Sequence, residues 1–170
     1  MRLKPVYTLF LLLVFLTGPA LRAEEALMEL TSPVFPNNAM LPAKYTCQGE
    51  DISPPLAVTG IPKGTVTLAL INDDPDAPGG TWDHWIVWNI PPAGVIAQNT
   101  VPGIQGKNSW GRSDYGGPCP PSGTHRYFFK LYALDGKLAL KEGARKVDVL
   151  KAMEGHVLAQ AQLIGLYKKS

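Results

Sequence analysis

The chain has 170 residues, 45% of them hydrophobic and 18% charged, which is enough apolar side chain for one compact domain with a real core. Its 16 Lys and Arg against 14 Asp and Glu give a formal charge of +2. Three of those cations, Arg2, Lys4 and Arg22, lie in the first 23 residues, so the other 147 carry 13 bases against 14 acids, about −1. A nucleic-acid partner loses its electrostatic support on that count.

Residues 1–23 have the layout of a secretory signal. Arg2 and Lys4 precede an apolar run over 6–16, too short to span a bilayer, and a segment ending in the small residue Ala23. Cleavage is expected after Ala23, with Ala20 as the alternative. An uncleaved anchor is the competing reading. The expectation is a periplasmic or secreted protein with no membrane span left after cleavage, its single domain covering 24–170. That domain holds two cysteines, Cys47 and Cys119, neither with a Cys or His partner at zinc spacing. An oxidising compartment predicts a disulfide between them. Two buried thiols that never meet are the alternative.

In chain order, a first strand is expected at 26–31, then punctuation at Pro33 and Pro36, and a short strand at 41–46. Pro54 and Pro55 rule out a helix and leave a short extended piece at 56–58. Residues 65–72 read as a central strand covered on both faces. An acidic Pro/Gly turn follows, from Asp73 to Gly80, and a second central strand at 83–90, ended by Pro91 and Pro92. Residues 95–113 have no steady period and read as a long surface loop, a length uncommon without a function. A third core strand is expected at 127–134. One helix is expected over 144–160, with Val147, Leu150, Met153, Val157 and Leu158 at helical spacing and Gly155 and His156 as interruptions. A final strand covers 161–168. Many short strands, 16 prolines and 17 glycines predict a mainly β fold: an antiparallel β-sandwich with one or two short helices in its C-terminal half.

Two stretches concentrate costly chemistry. The segment 73–90 packs three of the four tryptophans, His84 and an acidic turn into eighteen positions, and 115–132 runs a Pro-rich turn into His125-Arg126-Tyr127. Side chains two apart on a strand share a face, which groups His84 with Trp82, Ile86 and Trp88, and His125 with Tyr127 and Phe129, while Arg126 points away. One more step of alternation puts Asp74 on the face of Leu70 and Asn72. Asp74, His84, His125 and Tyr127 are therefore expected around one hollow. Singly, each has a plainer role: a core histidine, Asp74 and Asp76 capping the Pro75 turn, tryptophans as packing, and an Arg126–Asp76 ion pair. Two imidazoles and a phenol can donate to phosphoryl or carboxylate oxygens, and more strongly when the imidazole is charged. Asp74 suits a donor on the same ligand, such as an amine, or else orients a histidine. The rival is a metal-dependent hydrolase, since Asp74, Asp76, His84 and His125 are side-chain types that zinc or manganese accepts, although no helix-borne pair joins two of them. A serine hydrolase is weaker, because Gly111-Arg112-Ser113-Asp114-Tyr115 lacks the closing glycine of a nucleophile elbow and Ser122 has no orienting acid.

Asp74-Pro75-Asp76-Ala77-Pro78 followed by Trp82-Asp83-His84-Trp85 resembles the first signature of the phosphatidylethanolamine-binding protein family, also called the Raf kinase inhibitor protein family. The run from Tyr115 through Pro118-Cys119-Pro120-Pro121 to His125-Arg126-Tyr127 resembles its second. Ile52-Ser53-Pro54-Pro55-Leu56 and the tail from Gly155 to Tyr167 are similar to the short bacterial Raf kinase inhibitor-like branch. The resemblance implies a β-sandwich with an anion pocket lined by Asp74, His84, His125 and Tyr127, with Trp82 and Pro120 as walls. It also marks Ala77–Pro78 as a candidate cis bond. Members bind phosphate-like groups and phospholipid head groups, and some modulate kinases or proteases. Cys119 stands where many members have glycine, which would tie this rim to Cys47. The chain ends before the C-terminal helix that partly covers the pocket in animal members, so a more open pocket is expected. An exported protein would not reach cytosolic kinases.

The expected function is thus a non-enzymatic, exported binding protein without a cofactor. Its expected ligand is a small phosphorylated or anionic group such as a phospholipid head group. The alternative is an interaction or protease-inhibitor module acting through 95–113, with a protein partner or a homodimer.

Overall fold

The computed structural model of the chain describes residues 27–170, so the expected signal at 1–23 lies outside the described residues. The strands are β1 (Glu29–Thr31), β2 (Ala39–Met40), β3 (Leu56–Thr59), β4 (Thr67–Asp74), β5 (Trp82–Ile90), β6 (Val95–Ile96), β7 (Ile104–Gln105), β8 (Thr124–Leu134) and β9 (Val157–Lys168). One α-helix, α1 (Lys146–Met153), lies between the last two.

Three strands form a small sheet in the order β1-β3-β6, and six form a large one in the order β2-β9-β8-β4-β5-β7. The expected antiparallel arrangement needs correction here. β2 runs parallel to β9, pairing Ala39 with Gly165 and Met40 with Leu166, so the large sheet is mixed. The chain enters β2 from a turn at Pro36–Asn38, lying alongside the end of the sequence rather than hairpinning onto a neighbour, and no local pattern encodes that.

All eight residues of β4 are buried, as an apolar strand covered on both faces requires. Leu68 and Leu70 face Leu30, Leu56, Val58 and Ile96 of the small sheet, in one core shared by the two sheets. Ala69 and Ile71 face a second core closed by Val149 and Met153 of α1. The helix is shorter than expected. Gly155 takes φ +79°, a left-handed conformation that ends helices, and Val157 through Gln160 already belong to β9. Its buried pair is Val149 and Met153, four apart, while Val147 and Leu150 stay exposed. The strand expected at 41–46 is instead a single 3₁₀ turn, Ala43–Tyr45, and the loop at 95–113 contains β6 and β7. Among the described residues no peptide bond is cis, so Ala77–Pro78 is trans.

β5 carries two extra residues relative to β4. Leu68 pairs with Ile90 and Leu70 with Val87, and then Asn72 pairs with Trp85 but Asp73 with Asp83. The second irregularity leaves His84 as the residue without an opposite number. A bulge of this kind re-aims side chains by breaking the two-residue alternation.

Cys47 and Cys119 are joined in a disulfide with Cα atoms 5.5 Å apart, across 72 positions of sequence. Loop-closure entropy for a ring of that length amounts to about 4 kcal/mol. A double Cys47→Ser, Cys119→Ser variant is therefore expected to lose about that much stability in urea unfolding. Dithiothreitol should lower the midpoint of the wild type and leave the variant unmoved. Equal midpoints for oxidised and reduced wild type would contradict it.

Candidate functional site

A cavity of about 280 Å³ opens where the ends of β4, β5 and β8 meet. Asp74, Trp82, His84, Pro120, His125 and Tyr127 all line it, so the six residues expected at the pocket are brought together. Ala77, Pro78, Cys119 and Pro121 complete the wall, and so does Trp110, which the sequence reading missed. Asp76 and Arg126 lie apart from the cavity. The Arg126 backbone N–H and Nε donate to Asp76 Oδ2 at 3.0 and 2.9 Å, and Nη2 donates to Oδ1 at 2.7 Å. The Arg126 side chain, in first place, holds the Asp76 pKa down at about 2.

The bulge in β5 determines what His84 touches. It keeps His84 beside Trp82 at the cavity, but it sends Ile86 and Trp88 to the opposite core under α1, correcting the expectation that all four share a face. Trp85, next to His84, joins the core between the sheets. On the other side of the same rungs Asp73 and Asp83 sit opposite each other. Lys146 Nζ, reaching from α1, bridges them at 2.6 and 2.7 Å, and Lys130 Nζ donates to both oxygens of Asp73 at 2.8 Å. Burial works against the Lys146 ammonium, but its bonds to Asp73 and Asp83 outweigh it and leave its pKa raised. The residues next to Asp74 and His84 in sequence are thus anchored from behind.

Inside the cavity, each histidine is held by Nδ1. His84 Nδ1 lies 2.6 Å from the carbonyl of Gly116, whose own N–H donates back to the His84 carbonyl at 3.1 Å. The ring meets Trp110 and Tyr127 edge-on, with centroids 5.0 and 5.1 Å away. Burial, offset in part by the Gly116 carbonyl and acidic neighbours, lowers the His84 pKa below its ordinary 6.5. His125 Nδ1 lies 2.7 Å from Asp74 Oδ2, while Asp74 Oδ1 accepts from the Asp76 N–H at 2.8 Å. Asp74 therefore does both jobs foreseen for it, capping the turn and orienting a histidine. The Tyr127 hydroxyl is buried and makes no close hydrogen bond, but the Asp74 carboxylate and the Cys119 backbone are near enough to act on it. Burial first, and the Asp74 carboxylate next, push its pKa far up.

The wall from Tyr115 to Cys119 is gripped from below by the loop after Tyr45. Tyr115 Oη donates to the Tyr45 carbonyl at 2.8 Å, Gly117 N–H to Asp51 Oδ1 at 2.7 Å, and Cys47 N–H to the Pro118 carbonyl at 3.2 Å. Gly117 is glycine for a reason of space, since a Cβ there would collide with Asp51 and the Tyr45 carbonyl.

Trp110 is delivered by the long loop. Asn108 Oδ1 accepts from the N–H groups of Trp110 and Arg112, both at 3.0 Å, and Ser109 exchanges two bonds with the Asp83 backbone. Its ring meets Trp82 at 5.4 Å, nearly perpendicular. The available signal was a tryptophan stranded in a polar, Gly-rich segment, where exposure is costly. Among the described residues no three His, Cys, Asp or Glu side chains converge as a metal-binding group, and Asp76 is engaged with Arg126 outside the cavity.

Comparison with known proteins agrees with this architecture. The family model described as phosphatidylethanolamine-binding protein matches residues 31–168. A UPF0098 protein of Methanothermobacter thermautotrophicus is 52% identical over 150 residues, covering 84% of this chain and 99% of that one. A UPF0098 protein of Pyrococcus horikoshii is 50% identical over 157 residues, covering 86% and 79%. Among solved structures, a putative phosphatidylethanolamine-binding protein homologue from Chlamydia trachomatis superposes with a TM-score of 0.82 at 43% identity, over 85% of this chain and 99% of that one. YbcL of E. coli, described as a new member of the mammalian family, gives 0.78 at 30% identity, over 85% and 100%. The chain belongs to the phosphatidylethanolamine-binding protein family.

The lowered His84 pKa has a sign that can be tested. Below about 6.5 the unfolded chain binds a proton that the folded imidazole resists, so folding stability is full above that pH and falls as pH drops through it. Urea unfolding at pH 7.5, 6.5 and 5.5 should show this fall in the wild type and a flatter profile in His84→Asn. Parallel profiles would assign the pH dependence to other groups. Asp76 acts in a lower window, its contribution present above 3.8 and lost as pH falls toward about 2.

Proposed function

We propose that this is an exported, non-catalytic binding protein whose cavity holds a phosphorylated or other small oxyanionic group, such as a phospholipid head group. The observation that carries the reading is a set of unpaired polar groups converging on one hollow. The second ring nitrogen of His84 and of His125 makes no hydrogen bond within the protein, and the buried Tyr127 hydroxyl makes no close one, with Asp74 and the Cys119 backbone its nearest polar neighbours. Polar groups that line a cavity with hydrogen-bonding capacity to spare are suited to a polar guest. Both Asp74 carboxylate oxygens are engaged within the protein, one by the Asp76 N–H and the other by His125.

The absence of turnover is part of the same proposal. Ser113 and Ser122 do not line the cavity, and neither histidine is bonded to a hydroxyl that it could activate. Export is supported by the disulfide, a bond that persists in oxidising compartments. Trp82 and Trp110, 36% and 42% exposed, flank the mouth and favour a second reading in which a protein partner covers it.

Calorimetric titration of phosphoethanolamine at pH 6 into the wild type, His84→Ala and His125→Ala tests the first reading. Loss of one hydrogen bond to a charged group corresponds to a roughly 10- to 100-fold weakening in each variant. ³¹P NMR should recover the ligand unchanged after prolonged incubation. Equal affinity in all three proteins, or none in any, would overturn the pocket assignment, and a hydrolysed ligand would overturn the non-catalytic one.

A further inference from the structure

We propose that the cavity takes its oxyanion together with one proton, because in their resting tautomers both histidines present a bare lone pair to the guest. The inference rests on the oxyanion-binding reading and specifies the form of ligand that the site accepts. A carbonyl oxygen can only accept a hydrogen bond, so the nitrogen of His84 facing the Gly116 carbonyl carries a hydrogen in either charge state of the ring. The same holds for His125 Nδ1 against the Asp74 carboxylate. A neutral imidazole has one N–H, and in both rings it is already committed. Each Nε2 is then an acceptor, with no partner in the protein.

The rest of the lining brings no positive charge. No Lys or Arg lines the cavity, and besides the imidazoles its side-chain donors are neutral: the Tyr127 hydroxyl and the indole N–H groups of Trp82 and Trp110. A fully ionised oxyanion would therefore meet two lone pairs and the Asp74 carboxylate. One proton changes the balance, either on Nε2, making an imidazolium that donates to the ligand, or on the ligand oxygen, making a P–OH that donates to Nε2. The two descriptions contain the same atoms and give the same linkage.

The charged neighbours determine when this matters. His84 feels the charge of Asp74 from β4, of Asp51 from the loop below and of Asp83 from the opposite face of its own strand, with Tyr127 across from it on β8. His125 faces Asp74, and close by lies Asp76, which is paired with Arg126. Burial has the largest effect on His84 and keeps that ring neutral at rest, although its acidic neighbours favour an added proton. A bound anion supplies the missing countercharge inside the cavity.

The test uses the oxidised mature protein with inorganic phosphate and with sulfate, which carries no proton of its own near neutrality. Titrations at pH 7.5 in two buffers of different ionisation enthalpy report the protons exchanged. About one proton should be taken up with sulfate, whose affinity should fall about tenfold between pH 7 and pH 8, whereas phosphate, which already carries a P–OH near neutrality, should take up less than one and show a shallower fall. Sulfate heats independent of buffer, with binding still measurable, would overturn the proposal while leaving the binding reading intact. Absence of binding by both anions, even at pH 6, would overturn both. In Asp74→Asn the amide can donate to Nδ1 and free an Nε2–H, so its proton uptake should fall toward zero. Long-range ¹H–¹⁵N spectra of the free protein add a check independent of ligand: hydrogen on Nδ1 of both rings is expected, and a hydrogen on Nε2 of the neutral rings would refute the tautomer argument.

Discussion

The cavity depends on one surplus residue in β5. Were β5 in simple register with β4, His84 would alternate with Trp85 and fall on the sheet face that carries Ile86 and Trp88, under α1. The bulge between the Asn72 and Asp73 rungs lets His84 and Trp85 project to the same side, one toward the cavity and the other into the core between the sheets. Trp82 then returns to the cavity side opposite Asp74. A flat ladder would leave His125 and Tyr127 without the second imidazole, and no rotamer change could bring it across the backbone.

A bulge at the end of a strand pair needs support, and it comes from the far face. Asp73 and Asp83 are opposite one another, and two like charges so placed would push the strand ends apart. Lys146 lies between them, carried on the first turn of α1, and Lys130 takes the remaining side of Asp73. Asp73 is almost wholly buried, so the group is held by complementary charge and close geometry rather than by solvent. The short helix thus has two roles. Val149 and Met153 close a core, and the first residue braces the rungs from which Asp74 and His84 project.

How much of this was legible follows from range. Arg126 facing away from His125, and Asp74 on the face of Leu70, are consequences of strand alternation, which residue order carries directly. The pairing of Asp76 with Arg126 could be anticipated because both ends are short-range features of turns that had to meet. The bulge could not be read, since deleting or keeping one residue changes the register against a partner strand but leaves every local preference the same. That is why His84 was assigned correctly to Trp82 and wrongly to Ile86 and Trp88. The over-long helix has a similar origin: Val157 and Leu158 satisfy a helical period, yet Gly155 lets the chain reverse and pairing with β8 outweighs the period. Trp110 was missed because its placement depends on Asn108 and Ser109 docking against β5, contacts that have no periodic signature. The parallel β2–β9 contact joins distant ends of the domain and has no local signature either.

The disulfide connects the site to the compartment in which the protein would work. Cys119 lines the cavity and its partner Cys47 belongs to the loop that also holds Tyr115, Gly117 and Pro118. The same wall supplies the Gly116 carbonyl that fixes the His84 ring. One covalent link and three hydrogen bonds therefore orient an imidazole that none of them touches. A wall ordered before the guest arrives spares the loss of conformational freedom that a loose loop would suffer on binding. It also holds the hydrogen of His84 on Nδ1, against the Gly116 carbonyl, so the tautomer of that ring is fixed by the wall rather than by anything in the cavity.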